Sequence, residues 1–390
     1  MAKYSKTVQA LLVSSLGLPG MQDLLAQEAP EDSIDYRFTH YDEEPLPAEK
    51  LAFGDPRRYK IDSHQFRLVK NLKEKWTLEL GLLHEAMSGS SPWYVLPDSD
   101  GPLQVMSGAT IREKRDQLGL AFSHRKSGYT HKGAIGYSTE DDYEAIYTSY
   151  SGEKESQDGL RTWAWGGSYS DDEITPTDAL DFGRIERASR DSISASLGLT
   201  QIINRNALVQ SGISLTRHSG FLSDPYKQVW INRAVLNDSR PDERLLFAWT
   251  TRFRQYMEKS RAALTLNYRY FKDDWSISAH TLEAAWRQPL GFNWELAPSA
   301  RYHSQRAADF YAPFYLELPT MGNWSSDYRL ATFGALSYRL RAEYRQEKWS
   351  FSAGAEYYDS SESLALSGTS DNTPGLVDFW RITLAFKIKL

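Results

Sequence analysis

Residues 378–390 read DFWRITLAFKIKL. Trp380, Ile382, Leu384, Phe386, Ile388 and Leu390 form an unbroken apolar row at every second position. Between them stand Arg381, Thr383, Ala385, Lys387 and Lys389. A period of two belongs to a strand, because successive side chains point to opposite faces. This strand therefore has one wholly apolar face and one polar face. A bilayer accommodates that arrangement directly: the apolar face meets lipid and the polar face lines a lumen. The expected role of the segment is a closing strand and assembly signal carried by Trp380, Phe386 and Leu390. The row ends on Leu390 rather than on an aromatic residue.

The same alternation runs through the chain from residue 34 onward. Trp76, Leu78, Leu80 and Leu82 form one row; Leu245, Phe247, Trp249, Thr251 and Phe253 form another; Tyr328, Leu330, Leu336, Tyr338, Leu340 and Tyr344 form a third. In the strand from Arg58 to Lys70 the phase switches between Ile61 and Phe66, which predicts a bulge. A strand is also expected over Trp275–Trp286. The pattern predicts about sixteen strands, each near the ~9–11 residues that span a bilayer when tilted. Connection lengths are an independent check. Every second connection is short, at 71–75, 125–128, 151–158, 204–206, 258–260, 287–291 and 346–348. All the long loops fall in the other class, notably those at 87–111, 219–243 and 306–325. Short periplasmic turns facing long outer loops are the asymmetry of an outer-membrane barrel. A propeller needs a recurring signature every ~40–50 residues, and a sandwich has no reason to show this parity. The predicted fold class is all-β, a transmembrane antiparallel up-and-down barrel.

Composition agrees where it bears on this reading. The mean hydropathy of −0.55 suggests a water-soluble chain, but lumen-facing positions dilute the average of any barrel strand. The 12 Trp, 23 Tyr and 16 Phe supply rings for two interfacial girdles. No stretch approaches the ~18 apolar residues of a transmembrane helix. Lys3 and Lys6, then the apolar run to Met21 and Leu24-Leu25-Ala26, read as a signal peptide over residues 1–26. The barrel domain is expected over 27–390. Cysteine is absent, which excludes disulfides, thiolate metal sites and cysteine-attached haem. The net charge of −6 excludes a nucleic-acid footprint.

Six segments carry a family resemblance: SGSSPW at 88–93, YSTEDDY at 137–143, FLSDPY at 221–226, RPDER at 240–244, SQRAADFY at 304–311 and SSDYRL at 325–330. Together they resemble an uncharacterised family of Gram-negative outer-membrane proteins, catalogued as a domain of unknown function. The resemblance covers nearly the whole mature chain and implies an outer-membrane location. It carries no catalytic residue over, and its only chemical hint is a redox setting. The chain itself has no haem motif and no flavin fingerprint.

Strand phase assigns the inner wall. Opposite the apolar rows stand Arg252, Arg254, Arg269, Arg301, His303, Arg329, Arg339, Arg341, Arg345, Arg381, Lys387 and Lys389, with Glu295, Glu343 and Glu356 interspersed. Such a wall sets a transverse field that orients polar solutes and favours anions. The plainer reading is that these arginines pair with carboxylates and brace the barrel. The acidic runs 42–44, 140–142 and 171–173 lack the spacing of a calcium loop, and solvated charge accounts for them better. A barrel hydrolase needs a nucleophile, a histidine and an orienting group converging on one wall. His84 follows an apolar row toward lipid, but no spacing supplies its partners. The expectation is a porin-like passage for small polar solutes, with no catalytic residue, metal or cofactor. Expected partners are outer-membrane lipid, the barrel-assembly machinery during biogenesis, a small polar solute, and periplasmic or surface proteins. The competing expectation is a plugged barrel that scaffolds a surface or redox-associated assembly. A lipid-modifying barrel enzyme is the third.

Overall fold

The computed structural model describes residues 31–73, 75–107, 111–320, 322–369 and 371–390; the expected signal peptide at 1–26 lies outside them. Sixteen antiparallel strands close into one barrel. In chain order they are β1 Ser33–Glu43, β2 Lys60–Lys73, β3 Trp76–Gly89, β4 Ile111–Lys126, β5 Tyr129–Thr139, β6 Tyr143–Glu155, β7 Arg161–Ile174 and β8 Ala188–Asn204. The second half comprises β9 Ala207–Gly220, β10 Glu243–Met257, β11 Ala262–Asp273, β12 Ser278–Leu290, β13 Trp294–Gln305, β14 Phe333–Arg345, β15 Trp349–Ser361 and β16 Phe379–Lys389. Each strand pairs with its chain neighbours. The seam is β1 against β16, in register from Ser33↔Lys389 to Glu43↔Phe379. Closure leaves no unpaired strand edge, the condition for a sheet in lipid.

The segment at 378–390 behaves as its alternation requires. Trp380, Ile382, Leu384 and Phe386 lie exposed on the outer surface. The band continues around the barrel through Leu340, Leu282, Leu197, Ile193, Ile146 and Ile135, all exposed. A contiguous apolar belt of this kind is lipid-facing surface. Tyr338, Tyr357 and Trp380 are cross-strand partners at its outer edge. Trp76, Trp163, Trp294 and Trp349 stand near the other edge, beside the short turns.

Turn chemistry sets the hairpins. Ser127 and Gly128, the two-residue β4–β5 turn, both have positive φ (51° and 78°), the geometry that matches strand twist in a two-residue hairpin. Gly136 and Gly152 serve large rings instead. The Tyr147 ring occupies the space a Cβ at Gly136 would need, and Trp165 does the same at Gly152.

Three local expectations need correction. The strand expected from Tyr328 begins at Phe333, because Tyr328–Leu330 turn as a short 3-10 helix that buries Leu330 in the outer loop. The β1–β2 and β2–β3 registers run without a shift from Lys60 to Asn71, so no bulge lies between Ile61 and Phe66. Ile61 instead takes an inner-face position opposite Tyr41, which produces the apparent change of phase. The irregularity falls at Asn71–Lys73, next to the turn. The strand expected from Trp275 begins at Ser278. Trp275 leaves the wall because its ring packs edge-on against Phe310 (5.1 Å between centroids) and its indole N–H donates to the Glu243 carbonyl (2.9 Å).

Several outer loops fold into structure of their own over the barrel. Leu51–Phe53, Pro92–Leu96 and Leu103–Met106 form a three-stranded sheet above the barrel, and Gln228–Ile231 pairs with Ala234–Asn237 as a hairpin. The β3–β4, β9–β10 and β13–β14 loops arise six, four and six strands apart around the rim. They nevertheless meet at one point: Lys227 Nζ donates to the Pro92 carbonyl (2.9 Å) and lies over the Tyr328 ring (5.5 Å). Loops rooted that far apart can touch only above the barrel axis, so they form a cap across the outer mouth.

Candidate functional site

Two features can govern what crosses the barrel: the charged inner wall and the cap. Arg329 is the one expected wall residue that leaves the wall: it lies in the short helical turn Tyr328–Leu330 before β14 and bonds within the cap, whereas the others occupy inner-face positions. Arg252 pairs in register with Gln210 and Asn267, and Arg269 with Thr250 and Thr281. Arg301 lies opposite Glu283 and Ser337, and Arg381 opposite Tyr41 and Glu356.

Their surroundings divide them into three groups. Arg339, Arg341 and Arg381 are braced by carboxylates, as the plainer reading expects: Arg339 to Glu283 (3.4 Å), Arg341 to Glu343 (2.8 Å) and Arg381 to Glu356. Arg252 and Arg254 are sealed among their neighbours, at 2% and 1% exposure, and Arg252 donates from Nε to Asn267 (2.7 Å). Their seal lies on the turn side of the wall, where Ile202 and Leu208 pack inward with Tyr256 and Leu160. Arg269 and Arg301 form the third group. Neither has a carboxylate within salt-bridge distance among the described residues; Arg269 lies beside the Phe271 ring (5.2 Å). His303 bonds to Thr281 (2.9 Å) between them.

Arg37, absent from the wall expected from strand phase, belongs with this third group. It stands mid-strand on β1 with no carboxylate partner among the described residues. The missed signal was its place between Tyr36 and Phe38, which sets the outer row of β1. Arg37, Arg301 and Arg339 are exposed although they point inward. Water-accessible space therefore exists beside them inside the wall, as sixteen strands permit.

The cap is built on buried charge. Arg58 donates to Glu43 (3.0 Å) and to the Gly375 and Leu376 carbonyls (2.8 and 3.2 Å), and its guanidinium lies over Tyr328 (5.5 Å). Fully buried Asp327 accepts from Arg240 (2.9 Å) and from Arg329 Nε (2.8 and 2.9 Å). Arg329 also reaches Asp224 (2.7 Å), and Arg240 reaches Asp238 (2.7 Å). Burial alone raises a carboxyl, but Arg329, Lys227 and Arg240 together hold Asp327 well below the usual range. Burial pushes the Lys227 ammonium down to about 8. Trp275, Ile277, Phe310, Tyr311 and Leu330 pack together as an apolar cluster in the same loops.

The remaining candidates are less developed. Glu113, Glu140 and Asp142 bring carboxylate oxygens within 4.8 Å of one another, but Arg115 engages Glu140 (3.5 Å) and the Tyr226 hydroxyl engages Asp142. His84 does face outward, bonded through Nδ1 to Asp116 (2.7 Å). Thr139 is the register partner of Asp116, on the far side of the acid from the imidazole. The order hydroxyl–acid–imidazole is not that of a nucleophile activated by its base, which needs the imidazole in the middle.

A family described as "Protein of unknown function (DUF3570)" matches residues 8–376. No curated protein matches the chain in sequence. Among solved structures, the fold resembles the CymD monoaromatic hydrocarbon channel at 10% identity and a TM-score of 0.45, over 96% of this chain and 93% of that one. It also resembles OmpTdeltaL8, a loop-deletion mutant of an outer membrane protein of Vibrio cholerae, at 11% identity and a TM-score of 0.42, over 92% and 99%. The siderophore receptor PirA from Pseudomonas aeruginosa is similar at 12% identity and a TM-score of 0.43, over 85% of this chain. The chain spans 56% of the length of PirA and 60% of CdiB from Acinetobacter baumannii. These likenesses concern the fold alone.

Proposed function

The chain belongs to the DUF3570 family, proteins of unknown function, and from that premise we propose that it is an outer-membrane passage for small anionic solutes, closed at its outer mouth by the loop cap. The observation that carries this reading is the set Arg37, Arg269 and Arg301. These are inward-facing guanidiniums without carboxylate partners among the described residues, on a wall with water-accessible space. An arginine that only braced the wall would be paired, as Arg341 and Arg381 are. An unpaired cation at a narrow aqueous passage lowers the barrier for anions and raises it for cations.

Single-channel conductance in planar bilayers tests this. The expected result is low open probability at rest, because the cap spans the mouth, and anion selectivity once open. Charge reversal at Arg37 and Arg301 should invert or abolish the selectivity. A bilayer that stays sealed at every voltage, with the cap intact or opened, would eliminate the passage.

The cap supports a second reading, a closed barrel whose loops present a surface to another protein. A sealed bilayer together with stable capture of a periplasmic or surface partner would select it.

A further inference from the structure

Outward polar pairs such as Tyr169 with Asp191 and Arg217 with Glu243 dot the outer edge of the lipid-facing wall, and in one sector three outward imidazoles gather. Elsewhere that edge carries aromatic rings such as Tyr338, Tyr357 and Trp380. On β1–β5 the same zone carries imidazoles and carboxylates. His40 on β1 bonds to Asp62 on β2 (2.7 Å), Tyr36 on β1 to His64 on β2 (2.8 Å), and His84 on β3 to Asp116 on β4 (2.7 Å). The His64 and His84 rings are neighbours, 6.4 Å apart. A depression of about 410 Å³ runs between them, with Phe66, Leu82 and Leu118 along it and Tyr137 and Thr139 at its end.

Its depth matters. His84 is eight residues along β3 from Trp76 at the opposite girdle. For a strand tilted by ~40° that is about 20 Å, near the upper limit of the apolar band, where acyl chains give way to headgroups. Polar groups there cost little, roughly 0–1 kcal/mol, so they are sustainable without a protein partner.

The ledge presents donors. Each carboxylate on it is already engaged: Asp42 by Lys60 (2.9 Å), Asp62 by His40 and Asp116 by His84. Every imidazole uses Nδ1 for its neighbour in the wall, so Nε2 is the ring nitrogen left for a ligand: His64, with the Tyr36 hydroxyl donating to Nδ1, presents an Nε2–H donor, and His84, whose Nδ1–H donates to Asp116, donates from Nε2 to an anion as the imidazolium. Lys114 stands two residues above Asp116 on the same face, exposed and with no ion-pair partner among the described residues. Below the polar tier lie Phe66, Leu82 and Leu118, an apolar surface continuous with the membrane core.

We propose that this ledge binds a phosphorylated lipid of the outer leaflet. The His64 and His84 Nε2 positions and the Lys114 ammonium take the phosphate, and the Phe66, Leu82 and Leu118 surface takes the acyl chains. Donors above an apolar slope complement an amphiphile with an anionic head. The hydroxyl–acid–imidazole order argues for binding rather than acyl transfer. This site lies outside the barrel and stands whether or not the lumen conducts.

The test is native mass spectrometry of the purified full chain, titrated with lipid A carrying its phosphates and with the dephosphorylated lipid. The wild type should prefer the phosphorylated form by about tenfold or more, equivalent to about 1.4 kcal/mol. The combined variant His64→Ala, His84→Ala, Lys114→Ala should lose that preference, whereas His280→Ala, at an outward histidine elsewhere, should keep it. Should the triple variant fail to fold, His84→Gln with Lys114→Gln reads the same loss. Equal binding of the two lipids, or a preference untouched by the variants, overturns the proposal. So does displacement by inorganic phosphate at matched concentration, a wild-type oligomer that the variants dissociate, or release of acyl chains by the wild type.

Discussion

Asp327→Asn is the sharpest probe of the cap. The side chain is fully buried, and the substitution keeps its shape while removing its charge. Three cations then face a neutral amide: Arg240, Arg329 and Lys227. Breaking one partner out of a buried charge network costs roughly 3–5 kcal/mol. Here Arg240 retains Asp238 and Arg329 retains Asp224, so the lower end applies. About 3 kcal/mol corresponds to roughly a 100-fold increase in the open population of the cap. The strands do not depend on Asp327, so the loss should be local. Amide hydrogen exchange followed by mass spectrometry distinguishes the regions. Ser325 N–H, bonded to the Phe310 carbonyl (3.0 Å), and Ala308 N–H, bonded to the Leu330 carbonyl (2.9 Å), should exchange about 100-fold faster, while β16 should not change. Cap amides that keep wild-type protection in a folded Asp327→Asn barrel would refute the claim that buried charge holds the loops together. Bilayer recordings of the same variant should show a raised open probability.

Other expectations follow from single residues. Lys227 titrates near 8 in the cap against 10.5 for an unburied lysine, so between those values the unfolded cap carries a proton that the folded cap lacks. Cap stability from this group therefore rises as pH goes from about 8 to 10.5, and Lys227→Met should remove that rise in protease-resistance measurements across the window. Gly136→Ala would place a Cβ within the Tyr147 ring and should cost about 1–3 kcal/mol, seen as a lower thermal midpoint. Unchanged stability would mean that the ring has another place to go. Deleting Phe386–Leu390 removes the β1–β16 pairs from Tyr36↔Phe386 to Ser33↔Lys389. The expected outcome is no heat-modifiable barrel on gels, and normal insertion would show that the segment is dispensable.

Much of the barrel was legible because a wall one strand thick encodes its two faces directly in alternation. Turn parity was legible for a similar reason: the Ser127-Gly128 and Asn204–Asn206 turns are short because the next strand must pair at once. The errors came where a residue leaves that pattern. Ile61 is apolar yet inner-facing, and Trp275 is aromatic yet belongs to the cap. Alternation gave Arg269 and Arg301 their face, but it could not distinguish them from Arg341, which has Glu343 beside it. That distinction depends on rotamers and on neighbouring strands. The cap was illegible altogether. Its contacts join Lys227 to Pro92 and Arg58 to Gly375, pairs separated by 135 and 317 residues, with no local periodicity to announce them. The outward ledge was visible only at His84, because its Asp116 partner lies on another strand.

The contact of Arg58 with the Gly375 and Leu376 carbonyls carries a consequence for the order of assembly. Those carbonyls immediately precede β16, so they reach Arg58 only when the last strand has docked on the first. Until then a guanidinium destined for burial has Glu43 as its anchor and must remain hydrated. The Arg58 corner of the cap thus cannot settle over an unfinished barrel. Consolidation of that corner is a late event that reports, at the mouth of the barrel, that the seam between the first and last strands has closed.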